Sequence, residues 1–246
     1  MLRYIILGIF QGLTEFLPVS SSAHLVILQK IFGISGQELA IPVTLHLGTT
    51  LALILFFFND ILEVLINKKM IFYIIIVTLI TGIVGISGRV FFRPLFASVS
   101  LSALALMVTG IILLFTRLSV HTRRAVLNTK DAFALGITQA LAIIPGISRS
   151  GITISGLLFR GIEKRLAFKF SFLASIPAVL GAFILEAKEA SIILKGNFLN
   201  LFIGFIFSFF CGLFSLWVLR KILLKAKLHY FGYYCIIVAI LTFLFV

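Results

Sequence analysis

Hydrophobic positions run along this chain in six long blocks, at 39–58, 71–88, 95–115, 166–185, 199–219 and 229–246, each 18 to 21 residues long. As a helix rising 1.5 Å per residue, each block is long enough to cross a hydrocarbon layer of about 30 Å, so the pattern predicts six membrane spans. Two further apolar stretches, roughly 4–29 and 132–159, are broken at mid-length. The breaks are Gln11-Gly-Leu-Thr-Glu-Phe-Leu-Pro-Val-Ser-Ser-Ser-Ala-His24 and Gln139-Ala-Leu-Ala-Ile-Ile-Pro-Gly-Ile-Ser-Arg-Ser-Gly151. Pro18 and Pro145-Gly146 deprive a helix of backbone bonds, and irregular backbone at membrane depth survives only against protein or a wet cavity. Each stretch therefore reads as a re-entrant helical hairpin.

A shift of 128 positions lays Gln11 on Gln139, Leu13 on Leu141, Val19 on Ile147, Ser20 on Ser148, Ser22 on Ser150 and Ala23 on Gly151. The same shift carries the first three hydrophobic blocks onto the last three. The chain thus reads as a single membrane domain over 1–246 with repeat halves at about 1–118 and 129–246. Three crossings per half turn the second half upside down. The predicted fold class is an all-α integral membrane protein: six transmembrane helices plus two re-entrant helical hairpins, arranged as an inverted-topology repeat.

Composition agrees: 61% of the 246 residues are hydrophobic, 12% are charged and the mean hydropathy is +1.22, which excludes a water-soluble globule. Arg3 before an apolar run and Ser21-Ser22-Ala23 mimic a signal peptide, but Glu15 would sit in its apolar core, and the second copy lies mid-chain. Cys211 and Cys235 fall inside predicted spans, without disulfide or metal spacing, and read as packing residues. Under the hairpin topology the side bearing both termini carries six basic residues, Arg3, Lys30, Arg89, Arg93, Lys188 and Lys195. The other carries fourteen, between Lys68 and Lys227, so the positive-inside rule makes it cytoplasmic and puts both termini outside. The net charge of +13 then faces anionic lipid and calls for no nucleic-acid partner. Arg220 to Lys227 reads as a juxtamembrane anchor.

Glu15 is the one acidic residue, of eight, at membrane depth, and Arg149 is the comparably deep base. Such residues face a partner, a ligand or an aqueous cavity. The plain reading is a pair that locks the two hairpins; the polar groups crowded around both favour a site. Gly146, Ser148, Arg149 and Ser150 have the makings of an anion cradle, in which glycine lets backbone approach, hydroxyls donate and Arg149 grips phosphate oxygens as a fork. Ser and Gly also serve ordinary helix packing. Gln11 and Glu15, four apart, share a helical face and suit a hard divalent cation, Mg²⁺ or Ca²⁺, completed by phosphate oxygens and water. For Gln11 an interhelical hydrogen bond is the alternative. His24 follows Ser20-Ser21-Ser22 and can take a hydroxyl proton as base, or bridge helices. His46 reads as structural; His121 and His229 suggest nothing.

These residues resemble a known family. Gln11 with Glu15-Phe-Leu-Pro-Val-Ser-Ser-Ser-Ala-His24, and Pro145-Gly-Ile-Ser-Arg-Ser-Gly-Ile-Thr153, are similar to the two signature regions of the bacitracin-resistance type undecaprenyl-diphosphate phosphatases. Leu45-His-Leu-Gly-Thr49 and Phe170-Ser-Phe-Leu-Ala-Ser-Ile-Pro177 extend the likeness over most of the chain. The resemblance implies a phosphatase of the bacterial inner membrane. It would remove the terminal phosphate of a polyprenyl diphosphate lipid with a divalent cation, at a site opening to the outer face. It places Glu15 and Gln11 on metal and acid positions, Ser21 and His24 on the nucleophile and its partner, and Ser148, Arg149, Ser150 and Thr153 on a diphosphate loop. Ser20, Ser22 and Gly146 complete the expected substrate contacts. Gln11 stands where many members have a second glutamate, removing one anionic ligand, and Ala23 where glycine is usual. Ser21 attack with His24 as base, attack by His24 itself, and direct attack by water all remain open, as does assembly into a homo-oligomer. The rival class is a secondary transporter or flippase for an anionic or polyprenyl-phosphate substrate, which shares the architecture but not the signatures.

Overall fold

The computed structural model describes residues 1–34, 40–92, 94–95, 98–118, 124–225 and 227–245, with the side chains of 40 and 186–197 left aside. Arg93, Arg123, His121 and the side chains of Lys188 and Lys195 lie outside this description. The described residues are helical, apart from loops and one isolated bridge between Arg124 and Ile162. The order is α1 (Leu2–Phe16), α2 (Ser21–Ile31), α3 (Ala40–Phe56), α4 (Phe58–Ile66), α5 (Lys68–Ser87), α6 (Arg89–Phe92), α7 (Val99–Phe115), α8 (Thr129–Leu141), α9 (Arg149–Phe159), α10 (Lys164–Leu224) and α11 (Tyr230–Phe245).

Both broken stretches fold as helix, break, helix, with α1 packed on α2 and α8 on α9. The breaks have identifiable causes. Pro18 supplies no N–H to the first; Gly146 sits at φ +100° in the second, and a Cβ there would run into Ser102 O. Each second helix restarts on a serine cap: Ser20 Oγ accepts from Ala23 N at 3.4 Å, and Ser148 Oγ from Gly151 N at 3.2 Å.

Lys68–Ser87, Val99–Leu118, Lys164–Leu185 and Phe198–Leu224 are long and apolar enough to cross a membrane. A fifth candidate, Ile41–Phe56 with Phe58–Ile66, is bent by 69°, a hinge that the unbroken block 39–58 did not foretell. The block 229–246 yields α11, of 16 residues, about 24 Å at 1.5 Å per residue. The helical run α10 contributes two spans, not one rod. Phe172 packs edge-on against Phe16, and Gly212 meets the same Phe16 ring, which a straight helix of 61 residues could not arrange. The protein is a multi-pass membrane protein, and residues such as Leu79, Ile83, Phe210 and Phe214 expose most of their area because lipid is their solvent.

Close packing centres on small residues. A Cβ at Gly8 would collide with Gly204 O, and one at Gly12 would lie 2.5 Å from Cys211 Cβ, so α1 lies flush against the second span of α10. Cys211 and Cys235 are free thiols. Two pairings cross between distant stretches. On α7, Thr109 Oγ donates to Gly146 O at 3.1 Å and accepts from Ser148 N at 3.0 Å; on α11, Cys235 Sγ donates to Pro18 O at 3.5 Å. Each break is thereby held by a helix from the other half of the chain.

Candidate active site

The N-terminal ends of α2 and α9 meet at one cavity of about 600 Å³, lined by Glu15, Ser20, Ser21, Ser22, Ser148 and Arg149 among others. The tips are joined directly, because Gly146 N donates to Ser22 Oγ at 3.1 Å. Arg149 Nη2 donates to Glu15 Oε1 across 134 positions of sequence, so the deep acid and the deep base are partners. Both are largely enclosed, at 7% and 17% side-chain exposure, where opposite charges attract strongly.

Glu15 collects further donors. Ser21 Oγ donates to Oε2 at 2.6 Å and Gln11 Nε2 to the same oxygen at 3.1 Å. His46, on α3, brings Nε2 to 3.2 Å of Oε2 while its Nδ1 lies 2.7 Å from Pro42 O. Both facing oxygens only accept, so both contacts are hydrogen bonds when both ring nitrogens carry protons. Pro42, His46 and Thr50 are spaced four apart on one face of α3, and all three line the cavity. The structure therefore brings His46, expected only to be structural, onto Glu15 and the cavity wall; the spacing alone could have signalled that placement.

His24 is turned elsewhere. Its Nδ1 lies 2.8 Å from Ser20 O and its Nε2 2.8 Å from the Tyr234 hydroxyl, with the rings stacked at 5.7 Å. The hydroxyl expected to give His24 its proton, Ser21, donates to Glu15 instead. The back-bond to Ser20, one turn earlier, aims the imidazole at α11 rather than at the cavity.

Of the expected substrate contacts, Ser20, Ser22, Ser148 and Arg149 reach the cavity. Ser150, 1% exposed, pairs with Ser148 Oγ at 3.3 Å. Thr153 donates to Arg149 O at 2.6 Å and meets Ser171 Oγ at 2.7 Å, so it supports the start of α9 and is not among the residues lining this cavity. Gly146 serves the turn and the Ser22 bond. Gln139 lines the cavity and donates to Thr81 Oγ at 3.1 Å, a position left unassigned in the sequence reading.

The donor set does not fit a resident divalent cation. Both Glu15 oxygens are occupied by protein donors, Gln11 is fully buried behind it with Oε1 unpaired, and the described residues contain no group of three His, Cys, Asp or Glu that could hold a metal. What the arrangement does offer is an anion site: two helix starts, a guanidinium, the hydroxyls of Ser20, Ser22 and Ser148, and that of Ser21, already hydrogen-bonded to a carboxylate.

Comparison with known proteins gives the family. Residues 4–241 match the family model described as bacitracin resistance protein BacA. The chain is 42% identical over 238 residues to the undecaprenyl-diphosphatase of Carboxydothermus hydrogenoformans, covering 94% of this chain and 91% of that one. It is 40% identical over 247 residues to the undecaprenyl-diphosphatase of Halothermothrix orenii, covering 97% and 95%. For that of Thermotoga petrophila the identity is 41% over 244 residues, covering 98% of each. A match that runs through nearly the whole chain, with the acid, the arginine and the serines brought to one cavity, places this chain in the bacitracin resistance protein BacA family.

Proposed function

We propose that this chain is a membrane phosphatase that hydrolyses undecaprenyl diphosphate to undecaprenyl phosphate and inorganic phosphate, recycling the lipid carrier of cell-wall synthesis. The observation that carries the reading is the Glu15–Arg149 pair at the meeting of two serine-capped helix starts, with Ser21 already donating to Glu15. The relatives named undecaprenyl-diphosphatase supply the substrate class.

Ser21 is the nucleophile in this reading. As its oxygen attacks the terminal phosphorus, the proton passes along the 2.6 Å hydrogen bond to Glu15. The new Oγ–P bond forms while the bond from phosphorus to the bridging oxygen breaks, and that electron pair leaves with undecaprenyl phosphate. Arg149 and the first amides of α9 face the charge on the phosphoryl oxygens. Water then attacks the phosphoserine, Glu15 returns its proton to the departing Ser21 oxygen, and the protons of the water stay with the released phosphate. His46 steadies Glu15 throughout. The divalent cation expected from the resemblance has no protein cage here; bound to the diphosphate it would enter as part of the substrate, and no step runs through it.

The same proposal takes the architecture as six crossings, α11 being the last, with two re-entrant hairpins in an inverted repeat. Matched serine caps and the crossed bonds from α7 and α11 support it. The cavity is lined by the early part of α3 and the late parts of α5 and the first span of α10, which the charge asymmetry puts on the outer side with both termini.

Phosphate release by the purified full chain in detergent tests the reading, since transport has no compartments there. Ser21→Ala and Arg149→Ala are expected to lose about 10²- to 10³-fold or more in kcat, and acid quenching to trap phosphoserine on Ser21. Near-full turnover by Ser21→Ala, or phosphohistidine on His24, would remove Ser21 from the role. Release from no prenyl diphosphate across a range of cations would return the chain to the carrier class.

A further inference from the structure

Beyond its polar end the cavity continues between α5 and the first span of α10, and the residues along that extension carry a second message. Most helical glycines here are pressed by a neighbour: a Cβ at Gly8 or Gly48 would strike backbone oxygen of α10, and one at Gly110 backbone of α11. Gly82 and Gly181 behave differently. A Cβ at either would meet nothing within 4 Å, and one at Gly85 would touch only Ile143 Cδ1 at 3.4 Å. All three line the cavity. Glycine weakens a helix relative to alanine, and at these positions no helix contact offsets that loss, so the space they leave calls for an occupant.

The walls are closed at one end and open at the other. Toward Lys68 and Lys164, Tyr73 packs edge-on against Phe170 at 6.4 Å. Toward Ser87 and Leu185, the lining residues Ile86 and Ile184 are 64% and 70% exposed, so the edge of the cavity is continuous with the lipid-facing surface. At the joint between the polar and apolar parts, Gln139 is 3% exposed, its Nε2 spent on Thr81 and its Oε1 unpartnered. A phosphate P–OH, or a water brought in with it, is the donor this oxygen lacks. The volume of about 600 Å³ is more than a diphosphate fills and lies in the range of sites that enclose whole ligands.

We propose that Gly82, Gly85 and Gly181 form a trough that holds the first isoprene units of the substrate, the rest of the chain passing between Ile86 and Ile184 into the lipid. This deepens the phosphatase reading and rests on it for the identity of the chain. The glycines act as specificity determinants, since a side chain as large as leucine would occupy the place of the prenyl group, whereas a methyl group still leaves room for it.

The test uses the full-length chain in detergent and a prenyl diphosphate analogue with a photoactivatable diazirine on its first isoprene unit. Labelling is expected on peptides covering 78–92 and 177–185, competed by undecaprenyl diphosphate. The double variant Gly82→Leu, Gly181→Leu should lose at least tenfold of that label while inorganic diphosphate still raises its melting temperature as in the wild type. Gly82→Ala and Gly181→Ala, whose methyl groups enter open space, should keep the label within twofold. Label elsewhere, label undiminished by the leucines, or loss of inorganic-diphosphate binding in the leucine variant would each overturn the trough. Phosphate release by the wild type is scored separately: labelling here without release would support the trough and end the phosphatase reading.

Discussion

Glu15 is held from four directions, by Arg149, Ser21, Gln11 and His46, and this crowding fixes the orientation of its carboxylate, as the general-base role proposed for it requires. His46 carries the first prediction at this scale. His46→Ala removes a donor to the carboxylate and is expected to lower kcat about 10²-fold with KM little changed; His46→Gln, which keeps a donor at similar reach, recovers part of the loss. Steady-state phosphate release measures both, and wild-type kcat in His46→Ala would exclude the positioning role. Glu15 and Arg149 were legible in the sequence because ionisable side chains are rare at membrane depth. The directions of His24 and His46 are not written in the sequence: closeness to the serines points to a partnership for His24, whereas its imidazole bonds back to Ser20 O and faces the Tyr234 hydroxyl. His46 comes from another helix, and tertiary packing alone brings it in.

Among the elements, the α8–α9 pair shows how a broken helix is anchored at its base. Asp131 is fully buried at the start of α8, where it completes a capping box with Asn128 and receives Arg124 at 3.0 Å and Arg160 at 2.6 Å. Burial alone would raise its pKa; hydrogen bonds from Arg124, the Asn128 backbone and Arg160 outweigh that and hold it below the usual carboxylate value. A lowered folded-state pKa means that the clasp stabilises fully above the unfolded value of about 3.9 and fades as pH falls through the folded one. Melting in detergent is therefore expected to be steady from pH 7 to about 4 and to drop below it, whereas Asp131→Asn, already weakened, shows no such drop from this source. Asp131→Ala should cost about 1 to 3 kcal/mol by removing the buried acceptor of the Arg124, Arg160 and Asn128 N–H hydrogen bonds. A melting temperature unchanged by that substitution would show the clasp to be idle. The breaks at Pro18 and Gly146 were legible from residue type, whereas the bend after Phe56 has neither proline nor glycine to announce it.

For the molecule as a whole, orientation is the open prediction. In a Cys211→Ala, Cys235→Ser background, Lys30→Cys is expected to react with an impermeant thiol reagent on intact cells, and Lys225→Cys only after permeabilisation. The reverse order would invert the cavity relative to the membrane. Hydrophobic blocks announced the spans because lipid imposes a length, but α10 hides its reversal within one helical run, and the order in which helices meet is not written in hydropathy.

That order has a consequence for biogenesis. The residues proposed for chemistry have all been synthesised once the start of α9 is made, yet Pro18 is fastened by Cys235 and His24 by Tyr234, both on α11. A nascent chain would therefore own every reactive group and still lack the clamp that sets its first tip, gaining competence only once α11 is in place. Truncation before Tyr230 should silence the protein while leaving all those groups in place, so a half-inserted copy would sit harmlessly beside the lipid carrier rather than act on it prematurely.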